Sequence, residues 1–77
     1  MKQMEKWITQ KWEKEHRLYR CVVKQDMFNN WLVQRQWGSK NSNRWQGKTV
    51  ICDSYEQALG LLQETAERRE KRNYKRM

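Results

Sequence analysis

The residues between Trp31 and Gln46 combine aromatic rings with cations and include no carboxylate. Lysine and arginine side chains bind phosphate oxygens, serine and asparagine side chains donate to phosphate or sugar oxygens, and indole rings offer planes for stacking. The sequence has no acidic residue between Asp26 and Asp53. This composition predicts a binding surface for nucleic acid. Its candidate contact residues are Trp37, Gly38, Ser39, Lys40, Arg44, Trp45, Lys48 and Arg35.

A second group of cations lies in residues 67–77, which hold six cations and two carboxylates. Cations near the C-terminus of a helix complement its dipole by about 0.3–1 kcal/mol each, which explains part of the group. Six cations exceed what capping requires, so a second zone of phosphate contact is predicted. Its candidate residues are Arg68, Arg69, Lys71, Arg72, Lys75 and Arg76.

Length and net charge limit the possible functions. A chain of 77 residues has room for one domain and buries too little surface for a large enclosed active site. The net charge of +8 favours polyanionic partners, although it also fits a small basic protein that binds nucleic acid only loosely. Neither an 18-residue apolar run nor a signal peptide is found. We expect a cytoplasmic protein, nucleoid-associated if bacterial, with no membrane partner.

The sequence predicts neither catalysis nor a metal site. It has no paired carboxylates in an apolar context, no Gly-rich phosphate loop and no nucleophile with a base partner. His16, the one histidine, lies in a charged turn and is expected to be solvated. Cys21 and Cys52 each lie in an apolar run, where a free thiol behaves as a small buried hydrophobe. We therefore expect a protein that is not an enzyme and needs no cofactor.

Three strands are predicted, at residues 17–24, 31–37 and 49–53. Residues 1–11 fit either a helix or a strand, and the family resemblance described below favours a strand at 9–13. Alternation in the second strand places Tyr19, Cys21 and Val23 on a core face. Residues 25–30 form a turn in which Met27 and Phe28 are expected to fold back and plug the end of the core, with protruding contact residues as the alternative. Gly38 is expected to end the third strand before a polar loop at 39–46.

Two questions about the aromatic residues remain open at this stage. Arg35 shares a strand face with Trp31 and Trp37 and can stack on their rings, so this face is either a structural ladder or a contact surface. Trp45 either offers a stacking plane to a ligand or folds onto the sheet.

A helix is predicted after the last strand. Ser54-Tyr-Glu-Gln57 has the form of a capping box, so Ser54 should begin the helix. Its inward stripe, by three- and four-residue spacing, comprises Ala58, Leu61, Leu62, Thr65 and Arg69. Asn73 is expected to stop the helix, with Tyr74 folding back onto the domain. The predicted fold is α+β: a small, twisted antiparallel sheet of about four strands with one C-terminal helix packed across one face.

The order of these segments resembles the WGR domain, which is named for a Trp-Gly-Arg tripeptide and is known from poly(ADP-ribose) polymerases and small bacterial proteins. The resemblance rests on Asp-Met-Phe-Asn-Asn-Trp at 26–31, Arg-Gln-Trp-Gly at 35–38, the basic loop to Gln46 and the Ser-led helix ending in Asn73-Tyr74. It covers residues 12 to 74. The third position of the tripeptide is Ser39 here. The resemblance implies a domain at 9–74, preceded by a loosely ordered extension at 1–8 and followed by a basic tail at 75–77.

The resemblance also implies a function. In poly(ADP-ribose) polymerases the WGR domain contacts DNA near a strand break, with the motif Trp against the sugar of the terminal nucleotide. Trp37 would take this role and Gly38 the tight turn beside it, while the motif Arg that bridges to neighbouring domains has no counterpart at Ser39. We expect a monomeric, non-catalytic module that binds duplex DNA near ends or breaks. The alternative is a protein-interaction adaptor that docks through the Trp-rich sheet face.

Overall fold

The computed structural model describes residues 7–77, which form an α+β domain. Within this range, five strands make one antiparallel sheet in the order β4-β3-β2-β1-β5, and one helix packs across it. The elements are β1 (Ile8–Lys14), β2 (Arg17–Gln25), β3 (Trp31–Ser39), β4 (Trp45–Cys52), α1 (Tyr55–Lys71) and β5 (Lys75–Arg76). The predicted small antiparallel sheet with a C-terminal helix is confirmed, and the short β5 is added to the four strands expected.

The strand register separates the sheet into two faces. The helix face packs against α1, and the opposite face, which no described element covers, is called the open face. On the helix face, Trp12 pairs with Tyr19 across the strands, and Val23 pairs with Val33. The buried apolar residues all lie on this face or on α1: Trp12, Tyr19, Cys21, Val23, Val33, Cys52 and Ala58. The predicted core face of β2 is confirmed.

The start of α1 follows the predicted capping pattern. The Ser54 side-chain oxygen accepts a hydrogen bond from the backbone N–H of Gln57 at 3.1 Å. The Gln57 side-chain oxygen in turn accepts from the backbone N–H of Asp53 at 2.8 Å. Two donors at the beginning of the helix are thereby satisfied. Farther along the inward stripe, Ala58 and Thr65 are buried, as the spacing predicts.

The end of α1 is a Schellman motif. Asn73 has a positive φ of 67°, in the left-handed region that Asn tolerates. Its backbone N–H donates to the carbonyl of Glu70 at 3.1 Å, and the N–H of Tyr74 donates to the carbonyl of Arg69 at 3.0 Å. The reversal brings Tyr74 back over the last turn of the helix, as predicted. The chain then continues into β5, which pairs with β1.

Gly38 does not end β3 as predicted. It lies within the strand and pairs with Leu18 on β2 and Trp45 on β4. The expected loop at 39–46 is therefore shortened, because β4 begins at Trp45 rather than at Thr49. The indole of Trp45 lies across Gly38 on the open face, where a Cβ on Gly38 would be 2.9 Å from Trp45 Cδ2. The ring covers the exposed backbone of the glycine, which keeps this part of the ladder paired.

The loop between β2 and β3 also differs from its prediction. Met27 and Phe28 are 82% and 75% exposed, so they do not plug the core. The Asp26 carboxylate instead organises the loop by accepting hydrogen bonds from the backbone N–H groups of Phe28 and Asn30, at 2.8 and 2.9 Å. Although desolvation opposes them, these bonds hold the pKa of Asp26 below its ordinary value. The tip of the loop projects because this local network, rather than core packing, sets its shape.

The predicted domain bounds can be compared with the structure at each end of the described chain. Residues 1–6 of the expected extension lie outside the described residues, and Ile8 already begins β1. Lys75 and Arg76, expected as part of a tail, form β5 and extend the sheet at the β1 edge. The backbone N–H of Met77 donates to the carbonyl of Lys11 at 2.9 Å. Within residues 7–77, no helix has the length and apolar character needed to cross a membrane.

Candidate nucleic-acid interface

A row of aromatic rings crosses the helix face near the end of α1. Tyr19 stacks on Trp37 of the neighbouring strand, with ring centroids 5.8 Å apart and planes 11° apart. On its other side, Tyr19 meets Trp12 edge-on at 6.1 Å. The indole N–H of Trp37 donates to the Gln46 side-chain oxygen at 2.9 Å. Trp37 is thus fixed from both neighbouring strands while remaining only partly buried.

Arg69 joins this aromatic row to the end of the helix. Its guanidinium carbon lies 4.4 Å from the centroid of the Tyr19 ring and 5.1 Å from that of Tyr74. Tyr74 also meets Tyr19 edge-on at 6.5 Å. The Schellman motif makes this arrangement possible because it returns Tyr74 to the helix face. A cation held between two rings gains roughly 0.5–2 kcal/mol, depending on burial.

Of the two alternatives left open for this strand face, the ladder in which Arg35 stacks on Trp31 and Trp37 is not formed. In the described part of the chain, Arg69 from α1 is the arginine that lies over the rings of this face, and Trp31 instead packs on Tyr55 with centroids 4.7 Å apart. Arg35 lies opposite Cys21 and Lys48 in the sheet. The three residues share one strand face, as predicted, but the helix supplies the stacking cation because it covers that face.

A cleft with a volume of about 530 Å³ opens between the end of α1 and the edge of the sheet where β2 begins and β3 ends. Its walls carry three guanidinium groups, three aromatic rings and one hydroxyl from serine, and we call it the basic cleft. It is lined by Arg17, Leu18, Tyr19, Trp37, Gly38, Ser39, Arg69, Arg72 and Tyr74. Among residues 7–77, no carboxylate lines it.

Like charges meet at the mouth of the basic cleft. Lys14 and Arg17 are direct cross-strand partners, and the Lys14 ammonium lies 5.9 Å from the centroid of the Tyr74 ring. Direct pairs of like charges destabilise a sheet. An anion bound in the cleft would relieve this repulsion.

The sequence prediction did not include Arg17. A signal for it was present, because alternation in β2 places Arg17 on the same face as Tyr19. What the sequence lacked was the register: Arg17 pairs with Ser39 and so comes to the wall beside Trp37.

The predicted contact residues divide between different parts of the surface. Five of them line the basic cleft: Trp37, Gly38, Ser39, Arg69 and Arg72. Lys40 instead forms an ion pair with Glu13 at 2.5 Å, and Arg76 forms one with Glu70 at 2.8 Å. Trp45 lies on the open face. The remaining candidates are away from the cleft walls: Arg35, Arg44, Lys48, Arg68, Lys71 and Lys75.

The cysteines lie in the core rather than in the interface. Cys21 and Cys52 are free thiols, both buried. Burial raises the pKa of the Cys21 thiol to about 11, although Arg35 and Thr65 act in the opposite direction. A thiol with so high a pKa is a poor nucleophile at neutral pH. In the described part of the chain, no three His, Cys, Asp or Glu side chains are grouped so that they could hold a metal ion.

Comparison with known proteins adds no family assignment to this geometry. The chain matches no protein-family model, no curated protein and no solved structure.

Proposed function

We propose that this protein is a non-catalytic DNA-binding module that holds the end of a duplex, or the end exposed at a break, in the basic cleft. The observation that carries the proposal is the composition of that cleft. Arg17, Arg69 and Arg72 line the same cleft as the partly exposed ring of Trp37, with no carboxylate among the described lining residues. Guanidinium groups bind phosphates bidentately, and an indole offers a stacking plane, so the two features together suit a nucleotide.

Each group in the cleft has a distinct role in this proposal. Arg17 and Arg72 contact backbone phosphates from the two walls, and the Ser39 hydroxyl donates to a sugar or phosphate oxygen. Trp37 packs against the sugar or base of the terminal nucleotide. Arg69 acts as a positioning residue, because its guanidinium is already engaged by Tyr19 and Tyr74. Since Arg69 and the Trp37 ring are held in place before a ligand arrives, these two residues lose little ordering entropy on binding.

An end suits this cleft better than the middle of a duplex. Trp37 is partly buried beside Tyr19, so a nucleotide must enter the cleft to present its sugar or base to the ring. Within a continuous duplex the bases are stacked on both sides, and extruding one costs a few kcal/mol. A terminal nucleotide avoids part of that cost.

The adaptor alternative receives less support on the helix face. It required docking through the surface that carries Trp31 and Trp37, but α1 covers that face and Tyr55 packs on Trp31. The basic cleft is an accessible part of this face, and its cations favour a polyanion over an ordinary protein surface.

The proposal is tested by fluorescence anisotropy of labelled DNA at several salt concentrations, comparing a blunt duplex with a closed dumbbell of the same sequence. We expect tighter, salt-sensitive binding to the blunt duplex. Trp37→Ala should weaken that binding by roughly 5- to 150-fold, the equivalent of ~1–3 kcal/mol of stacking. Trp45→Ala is the matched control, since it removes a more exposed indole from the opposite face.

Two outcomes would contradict the proposal. Equal affinity for the blunt duplex and the dumbbell would mean general attraction between charges rather than recognition of an end. Equal weakening by the two tryptophan substitutions would mean that the basic cleft is not the binding site. Circular dichroism of both variants establishes that they remain folded.

A further inference from the structure

The open face of the sheet presents a second surface with a different chemistry. Two rows of side chains cross it side by side, each containing one residue from each of the four long strands. The register aligns Trp45, Gly38, Leu18 and Glu13 in the first row. The second row is Gly47, Gln36, Arg20 and Lys11. Because the rows are two residues apart along each strand, they are separated by about 7 Å.

The second row places two cations directly opposite each other. Lys11 and Arg20 are cross-strand partners, a like-charge pairing that destabilises a sheet. Gln36 holds the Arg20 guanidinium in place, since its side-chain oxygen accepts from Arg20 Nε at 2.9 Å and also from Nη2. The guanidinium is therefore oriented before any ligand binds. Glu13, at the end of the first row, is already engaged by Lys40.

Apolar side chains lie beside these cations. A depression of about 410 Å³ is lined by Lys11, Leu18, Tyr19, Arg20, Trp45 and Met77. Trp45 and Met77 are 44% and 64% exposed, so their apolar surface is open to a partner. Val22 and Ile51 extend the aliphatic surface along the same face, and Ile51 is 65% exposed.

We propose that the open face docks an acidic, amphipathic segment of a partner protein. In this arrangement, apolar side chains of the segment enter the depression against Leu18, Trp45 and Met77, and its carboxylates bind Arg20 and Lys11. Charge complementarity identifies the partner. In the described chain, the two rows place cations beside apolar surface, and the one carboxylate in these rows, that of Glu13, is already paired with Lys40. A carboxylate bound between Arg20 and Lys11 removes their mutual repulsion.

The apolar part of the surface favours a protein segment over a nucleic acid. Leu18, Val22 and Ile51 are aliphatic, whereas single-stranded nucleic acids are held by a series of aromatic rings. Trp45 is the indole of the two rows, and one side of its ring rests on Gly38. The open face lies on the opposite side of the sheet from α1, although Leu18 and Tyr19 line both the depression and the basic cleft.

The test is an NMR titration of ¹⁵N-labelled protein with a short synthetic peptide in which Leu and Phe alternate with Glu. We expect shift changes at the amides of Lys11, Arg20 and Gly47, while those of Ser39 and Arg72 in the basic cleft stay unchanged. The control peptide carries Gln in place of each Glu and should bind on the order of tenfold more weakly, because it cannot form charge-assisted hydrogen bonds.

Matched variants locate the site. Arg20→Gln should weaken peptide binding on the order of tenfold, whereas Arg17→Gln, which makes the same change of charge on the helix face, should leave it unchanged. Lys11→Gln is the second variant, since Lys11 is exposed and its replacement leaves the core intact.

Three results would overturn the proposal. The first is the absence of peptide-induced shifts on the open face. The second is equal weakening by Arg20→Gln and Arg17→Gln. The third is stronger binding of a single-stranded oligonucleotide than of the acidic peptide at the open-face amides, which would assign this face to nucleic acid. None of these outcomes depends on whether duplex DNA binds the basic cleft.

Discussion

Replacing Arg72 with Gln tests the basic cleft with little disturbance of the fold. Arg72 is the C-cap of α1, but its backbone N–H makes the capping bonds, to the carbonyls of Arg68 and Arg69 at 3.2 and 3.1 Å. The side chain lines the cleft and is exposed. Arg68→Gln is a matched control. Arg68 lies in the last turn of the same helix and is also exposed, and the substitution removes the same charge, but Arg68 does not line the cleft.

The expected magnitude follows from the number of phosphate contacts. Each contact with duplex DNA contributes about 0.9 to the slope of log affinity against log salt concentration. If Arg72 contacts one phosphate, its loss lowers the slope by about 0.9. Between 50 and 200 mM salt, the ratio of wild-type to variant affinity should then fall by about 3.5-fold. At low salt, loss of one charge-assisted bond at an exposed site should weaken binding by about tenfold.

The assay is the anisotropy titration with a blunt duplex, repeated for each variant over that salt range. Arg68→Gln should change the slope far less than Arg72→Gln. Equal slopes and equal affinities for the two variants would refute the reasoning, because net charge alone would then account for binding.

Three further predictions concern the fold around the two surfaces. Gly38→Ala should destabilise the protein by roughly 1–3 kcal/mol in thermal unfolding, because its Cβ would lie 2.9 Å from Trp45 Cδ2 and 3.1 Å from a backbone oxygen. An unchanged midpoint of thermal unfolding would contradict the close packing. Asn73→Val should lower the stability of the fold by about 1–2 kcal/mol, because a β-branched residue resists the left-handed conformation. Asn73→Gly should not be destabilising. Equal unfolding midpoints for the two variants would contradict this. Burial raises the pKa of Cys21 to about 11 from an ordinary value of 9.0, so the native state retains a proton that the unfolded state loses. Stability should therefore decline as pH rises from about 9 through 11, and Cys21→Ala should make that decline shallower in urea unfolding at each pH.

Local signals in the sequence predicted the elements well. The Ser54 cap, the inward stripe of α1 and the stop at Asn73 depend on contacts within a few residues, so they could be identified without knowing the fold. The alternation of β2 likewise predicted its core face. The prediction that Trp31, Arg35 and Trp37 share one strand face was also correct. The cation that stacks on the rings of that face is Arg69 rather than Arg35.

The two errors had different causes. Gly38 resembles a strand terminator, but the ring of Trp45 covers it and the strand continues. Met27 and Phe28 resemble a core plug, but the Asp26 network shapes the loop and leaves both exposed. The first outcome depends on a contact between two strands, whereas the second depends on hydrogen bonds within four residues of Asp26.

The sequence by itself determined the net charge, the element types and the concentration of tryptophans and cations, because composition and periodicity are local properties. Only the tertiary structure decided which of these residues act together. The strand register placed Arg17 beside Ser39, and the turn at Asn73 brought Tyr74 to Arg69 and Tyr19. Register and helix docking are set by packing across the whole domain, so the basic cleft and the separate open face became evident only in the folded chain.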